Sequence, residues 1–175
     1  MASFIPAAMG ISCGKKPGDD NQVKKEKSEF GWKDDISFSD LPDFPVKGMI
    51  KGKPVTFQYV NFEKWRGSGD NVINFSATKP GQNCGFIEDF EGFTLTNRGG
   101  EFRQGQWIKA KFGDDAGSYK AIFKSSGVSS SEPWNCALNI ESISDKVVKG
   151  NVIIFFNDSD KILIAGKFEA LICNN

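Results

Sequence analysis

Three acidic residues lie close together near the middle of the chain, and paired carboxylates are the groups that hydrolyse glycosides. Glu88, Asp89 and Glu91 surround Phe90. If this stretch is an extended strand, Asp89 and Glu91 share one face about 7 Å apart, a distance at which two carboxylates can act on a glycosidic bond. We predict the simpler alternative, in which these residues solvate the beginning of a strand, and we assign no catalytic residue.

Two polar turns place several oxygen atoms close together, as a Ca²⁺ site would require. They contain Asp114 and Asp115 in one case and residues 157–160 in the other. Neither has the spaced acidic residues and the distant Glu of an EF-hand loop. We therefore predict ordinary turns, with no metal site and no cofactor.

The chain contains no histidine. This excludes Ser-His-Asp and Cys-His nucleophile pairs, imidazole general bases and the commonest transition-metal ligand. Carboxylate or lysine chemistry stays open, but no motif in the sequence supports it. We expect a protein that is not an enzyme.

Large aromatic side chains are the candidates for contact with a ligand. Trp65, Trp107 and Trp134, with Tyr59 and Tyr119, offer surface that could stack on sugar rings or fill a pocket of a partner. The alternative is that these side chains belong to the core of the domain, as most large aromatics in small β domains do.

Four cysteines are present at positions 13, 84, 136 and 173, and none of their spacings matches a zinc site. If the last three strands form a meander, Cys136 and Cys173 lie something like 25 Å apart, far beyond the roughly 7 Å that a bridge between Cα atoms allows. We predict a disulfide between Cys84 and Cys136. The alternative is that Cys84, Cys136 and Cys173 are all reduced and buried.

The beginning of the chain has the character of an export signal. Residues 1–12 are small and mildly apolar, Cys13 follows, and residues 14–20 are charged and flexible. This pattern resembles the end of a bacterial lipoprotein signal. The resemblance implies lipidation of Cys13, attachment to a membrane through that lipid, and a location in the bacterial cell envelope (outer membrane or periplasm) or outside the cell.

Composition divides the chain into three parts. Residues 1–13 are the signal and lipidation segment, and residues 14–43 are rich in charged residues with few apolar ones, which predicts a disordered linker. Residues 44–175 form the folded domain. Within the linker, the aromatic residues of segment 30–44 favour some attachment to the domain.

The folded part is a succession of short strands separated by Gly, Asp, Asn and Ser. Turns recur at the roughly 8 to 12 residue spacing of sandwiches and barrels, and no long segment has a helical period. The sequence predicts an all-β domain, either an antiparallel sandwich or a partly closed barrel of about nine strands. The predicted strands are residues 46–50, 56–65, 72–77, 90–96, 106–112, 118–124, 134–143, 147–156 and 161–173.

The last two strands carry the clearest pattern. Apolar residues of even number recur on both sides of the turn at 157–160, which predicts one shared core face: Val152, Ile154, Phe156, Ile162, Ile164, Phe168, Ala170 and Ile172. On the opposite face, Phe155, Leu163 and Leu171 are also apolar. We predict that segment 30–44 covers them.

Charge and composition limit the partners. Lys plus Arg and Asp plus Glu both number 22, so the chain lacks the basic surface that nucleic acid requires. We expect an exported, lipid-anchored and non-catalytic module that binds or scaffolds an envelope protein or a glycan. The alternative is a carbohydrate-binding or carboxylate-based glycan-active β domain.

Overall fold

A computed structural model describes residues 31–125, 128–130 and 132–173. These residues form eleven β-strands and one turn of 3-10 helix, without any α-helix, so the predicted all-β class is confirmed. The strands are β1 (Lys47–Ile50), β2 (Lys53–Thr56), β3 (Tyr59–Lys64), β4 (Asn71–Ser76), β5 (Gly92–Asn97), β6 (Gly105–Lys109), β7 (Tyr119–Ser125), β8 (Val128–Ser130), β9 (Trp134–Ile143), β10 (Val147–Phe156) and β11 (Leu163–Cys173); the 3-10 turn is Phe38–Asp40.

All eleven strands belong to one sheet. Its main path runs β6-β9-β10-β11-β3-β4-β5-β7-β8, and β1 pairs with both β11 and β2. Pairings between these strands are antiparallel except that of β11 with β3. Of the two predicted architectures, the partly closed barrel is the one that consists of a single continuous sheet. The structure therefore agrees with the barrel and not with the two-sheet sandwich.

The sheet curls because its two halves share one core. Phe75 of β4 and Phe93 of β5 stack with ring centroids 4.3 Å apart. Across the interior, Phe75 meets Phe168 of β11 edge-on at 5.1 Å, and Phe93 meets Phe156 of β10 at 6.4 Å. Such aromatic contacts between strands far apart in the sheet require that the inner faces of its two halves pack against each other.

The pattern of the last two strands is confirmed. Its even-numbered residues from Val152 to Ala170 lie in the buried core, and Ile172 packs against it. The pairing aligns Ile154 with Ile164, so the inner face is continuous across the turn. Even-numbered apolar residues therefore face the core on both β10 and β11.

On the opposite face of β10 and β11, Phe155 and Leu163 are both buried. The predicted cover by segment 30–44 is seen at Phe155, which the Trp32 ring meets edge-on at 6.1 Å. Ile36 is buried as well, and its backbone N–H donates to the carbonyl of Ala110 at 3.1 Å. The third residue predicted to be covered, Leu171, is only half-buried.

These contacts place the domain boundary earlier than residue 44. The compact unit begins at Trp32. The composition of segment 14–43 predicts a linker throughout, but its last part is held by backbone pairing as well as by apolar burial, since Asp35 forms a β-bridge with Lys111. Cys13, residues 1–13 and the linker up to residue 30 lie outside the described residues.

Two strands, β2 and β8, are not predicted from the sequence. β2 follows Gly52 directly and contains Pro54, which makes the segment read as a turn. Proline is tolerated here because β2 pairs only with β1 and so leaves one edge free. β8 spans three residues and is too short to show a period.

One glycine in β11 allows the segment before β1 to run close beside that strand. At Gly166 the backbone adopts φ +141, and an added Cβ would lie 2.3 Å from the Cα of Val46. The segment before β1 passes this point, where Val46 donates to the carbonyl of Lys167 and Lys167 donates to that of Phe44. Only a residue without a side chain allows this close approach.

Candidate ligand-binding groove

An open groove of about 740 Å³ lies on the outer face of the sheet, the face turned away from the core. Its floor is formed by β3, β4, β5 and β7, and one wall by the loop of residues 77–91. The volume falls in the range of about 300 to 1,000 Å³ typical of small-molecule sites.

Strand alternation explains which side chains form the floor. On β4, Ile73 and Phe75 are buried in the core, so Asn74 between them faces outward. The strand register aligns Asn74 with Asn61 of β3 and with Thr94 of β5. Three polar side chains from three strands therefore meet in one row, of which Asn74 and Thr94 line the groove and Asn61 is buried beside them.

These side chains form a continuous chain of hydrogen bonds. Thr94 Oγ1 donates to Asn74 Oδ1 at 3.0 Å, and Asn74 Nδ2 donates to Asn61 Oδ1 at 3.0 Å. Asn61 Nδ2 donates to Glu63 Oε1 at 2.7 Å, and Trp65 Nε1 donates to Glu63 Oε2 at 3.0 Å. The carboxylate of Glu63 thus links the polar floor to an aromatic ring.

Exposed aromatic side chains flank this polar floor. Trp65 is 46% exposed and Phe86, in the loop wall, is 86% exposed. Phe90 is half-buried, and the ammonium of Lys124 lies over its ring at 5.7 Å. Large apolar side chains left in water beside a polar floor are typical of a surface that contacts a partner.

The loop wall is fixed to the sheet at several points. Its two ends are joined where Ala77 N donates to the carbonyl of Glu91 at 2.7 Å. Its middle is held by a disulfide between Cys84 and Cys173, and Cys84 N donates to the hydroxyl of Tyr59 at 2.8 Å. The loop wall is therefore joined to the sheet at its ends and in its middle.

The predicted disulfide between Cys84 and Cys136 is wrong, because the two residues lie on opposite sides of the sheet. Cys136 is fully buried on the inner face of β9, within the core. The loop that carries Cys84 packs on the outer face, where Cys173 ends β11. Cys136 is a free thiol, and burial raises its pKa far above the ordinary value.

The three tryptophans predicted as stacking candidates do not form one surface. Trp134 is buried in the core. Trp107 stacks on Tyr119 with ring centroids 3.9 Å apart and lies 6.0 Å from Trp134. These rings pack where β6 and β7, which do not pair, approach each other. Only Trp65 of the three reaches the groove.

The acidic residues around Phe90 line the groove but do not lie on a strand. β5 begins at Gly92, so the predicted alternation does not govern Asp89 and Glu91. The backbone carbonyl of Asp89 accepts a hydrogen bond from Thr78 Oγ1 at 2.8 Å. Glu88, Asp89 and Glu91 are all exposed.

The turn carboxylates serve the backbone of their own turns. Asp114 Oδ2 accepts from Lys111 N at 2.9 Å, and Asp158 Oδ1 accepts from Ile162 N at 3.1 Å. Such bonds are what turn residues provide. Among the described residues, no group of three or more His, Cys, Asp and Glu side chains is placed to hold a metal ion.

Among the residues that the structure describes, a buried lysine is an ionisable group that sequence reasoning overlooks. Lys109 is 5% exposed, and its ammonium donates to the carbonyls of Lys111 and Phe112 at 2.7 Å each. Burial lowers its pKa, and the nearby Asp114 and Asp115 partly oppose that change. Because both bonds go to backbone carbonyls of the following turn, the role of Lys109 is structural: its ammonium holds that turn against the end of β6. Lys109 follows Trp107 by two positions on β6, so both side chains lie on the same face of the strand. This spacing is the sequence signal that Lys109 points toward the core.

Comparisons of the chain with protein-family models, with curated proteins and with solved structures give no match. The groove itself is therefore the basis for assigning a function. In the part of the chain described here, no helix is long and apolar enough to cross a membrane.

Proposed function

We propose that this protein is an exported, lipid-anchored and non-catalytic binding module of the bacterial cell envelope, and that its ligand occupies the groove. The observation that carries the proposal is an exposed Trp65 ring held beside a polar floor by its bond to Glu63. Binding surfaces are recognised by aromatic anchors that are already in place before the ligand arrives.

Two features support an exported location. The Cys84 to Cys173 disulfide is a type of bond that persists in oxidising compartments and is rare in the cytosol. The lipoprotein-like context of Cys13 supports anchoring at the envelope. The lack of histidine, noted above, supports binding without catalysis.

A glycan-active domain is the second candidate function. Glu88, Asp89 and Glu91 all line the groove and keep their carboxylates exposed. Hydrolysis of a glycoside needs one carboxyl as an acid and another as a base or nucleophile. Binding is the better-supported proposal because the ordered contacts of the groove belong to Trp65 and the polar floor.

The anchor is tested by fractionation of the protein expressed in a bacterial host from its complete gene. We expect the protein in the membrane fraction and a Cys13→Ala variant in the soluble fraction. A single acyl chain gives only marginal attachment, so stable retention requires the several chains that lipoproteins carry. Identical partition of the two proteins would contradict lipidation at Cys13.

The groove is tested by sedimentation with isolated bacterial envelopes, using the Cys13→Ala protein so that lipid plays no part. We expect the protein to sediment with envelopes of a Gram-negative or a Gram-positive host. A Trp65→Ala and Phe86→Ala double variant should bind about tenfold or more weakly, as loss of aromatic anchors usually does.

The matched control is Ile143→Ala. Ile143 is 46% exposed, as Trp65 is, but lies at the end of β9 outside the groove. Its replacement should leave sedimentation unchanged. Equal binding by the double variant and the control, or no sedimentation with either envelope, would argue against the groove as the binding site.

A further inference from the structure

We infer that the ligand of the groove is a neutral oligosaccharide, with one sugar ring stacked on Trp65 and its neighbour bonded to the polar floor. This inference rests on the proposed binding function of the groove. It follows from the shape of the aromatic contact, the chemistry of the floor, the presence of both signs of charge and the pairing of the strands.

The aromatic contact suits a sugar ring. A pyranose has a flat face of C–H groups and a rim of hydroxyl groups, so it matches a flat aromatic ring with polar groups beside it. The Trp65 ring has this setting, because Glu63 accepts the indole N–H at 3.0 Å and fixes the ring direction while the ring stays 46% exposed. A ring held in this way loses little conformational freedom when a ligand stacks on it.

The floor offers both donors and acceptors. Asn74 lies in its centre, half-buried, with an amide that donates to Asn61 and accepts from Thr94. An amide has two N–H donors and two acceptor lone pairs, so each Asn74 group retains capacity for one further bond. Sugar hydroxyls donate and accept at once, and a floor of amide and hydroxyl groups complements them.

The charges around the groove favour a neutral ligand. Its lining carries both signs, with five acidic residues (Glu63, Asp70, Glu88, Asp89 and Glu91) and three basic residues (Arg98, Lys120 and Lys124). A site for phosphate, nucleic acid or a polycation concentrates one sign of charge. Glu63 is moreover committed to two hydrogen bonds, from Asn61 and from Trp65.

Strand pairing disfavours an extended peptide as the ligand. Peptides commonly bind by adding a strand to a free sheet edge, where backbone groups are unpaired. The central strands of the floor have a neighbour on each side: β3 lies between β11 and β4, β4 between β3 and β5, and β5 between β4 and β7. β7 pairs with β8 only over Phe123, Lys124 and Ser125. Over β3, β4 and β5, recognition therefore comes from side chains, which suits a ligand rich in hydroxyl groups.

The test measures binding of the Cys13→Ala protein to two immobilised panels. One holds neutral oligosaccharides from β-glucan, mannan, xylan, galactan and chitin, and the other holds a library of unmodified peptides. We expect binding to at least one saccharide, with Trp65→Ala about tenfold or more weaker, Trp65→Phe closer to the parent, and Ile143→Ala unchanged. Thr94→Val, which removes only the floor hydroxyl, should also weaken binding.

The outcomes separate this inference from the proposed function. Saccharide binding that needs Trp65 supports both. Peptide binding that needs Trp65, with no saccharide bound, overturns the saccharide inference and leaves the binding function standing. Saccharide binding that is unchanged in Trp65→Ala overturns the placement in the groove. No binding to either panel overturns the saccharide inference, and sedimentation with envelopes then decides the binding function. Thermal midpoints of all variants establish that each is folded.

Discussion

Replacing Phe168 with Ala should lower the free energy of unfolding by about 3 to 5 kcal/mol, the usual cost of truncating a buried Phe. Phe168 is buried on the inner face of β11, and its ring meets that of Phe75 edge-on at 5.1 Å. The truncation leaves a cavity between the two halves of the curled sheet. Since a domain of this size is typically stable by about 5 to 15 kcal/mol, the loss is readily measured by urea denaturation.

The neighbouring residue provides the control. The Lys167 side chain is exposed and pairs with Asp43, an ion pair that raises the pKa of Lys167. Exposed ion pairs contribute little to stability, so Lys167→Ala should shift the denaturation midpoint only slightly. Its backbone bonds to Phe44 and Val46 stay intact in the variant. A loss for Lys167→Ala as large as that for Phe168→Ala would contradict the register of β11.

Removing the disulfide with Cys84→Ala and Cys173→Ala together should lower the free energy of unfolding by about 2 to 4 kcal/mol. The bond joins residues 89 positions apart, and a closed loop of this length strongly restricts the unfolded chain. The double variant should also bind ligand more weakly, because the bridge holds the loop wall of the groove. Denaturant midpoints with and without the bridge provide the measurement.

Thiol titration identifies the pairing in a Cys13→Ser background. The folded protein should show no reactive thiol, because Cys136 is buried and its pKa is raised, and one thiol should appear in denaturant. Cys136→Ala should abolish that thiol and keep the bridge. A bridge lost in Cys136→Ala would mean that Cys84 pairs with Cys136 after all.

Periodicity predicts what depends on neighbours along the chain. The even-numbered residues of β10 and β11 define the core face, and the apolar residues on the other face predict their cover by the segment that contains Trp32 and Ile36. The same local reasoning predicts that Cys136 and Cys173 are too far apart to form a disulfide. In the structure Cys136 lies on β9 and Cys173 at the end of β11, and they are not bonded to each other. It could not choose the partner of Cys84, because that choice depends on which side of the sheet the loop 77–91 packs.

The groove depends on strand order, which local patterns do not contain. Asn61, Asn74 and Thr94 are polar residues on separate strands, and nothing in their spacing links them. Their meeting follows from the register of β3, β4 and β5. Trp65 is equally ambiguous in sequence beside Trp107 and Trp134, since only tertiary packing determines which tryptophan is left in water.

The position of β11 determines when the protein can fold. This last strand pairs with β10 on one edge and with β1 and β3 on the other, so it joins the first strands of the domain to the later ones. A chain still emerging from the ribosome lacks the piece that closes the sheet. Closure of the sheet must await β11 and proceeds through contacts distant in sequence, which slows folding.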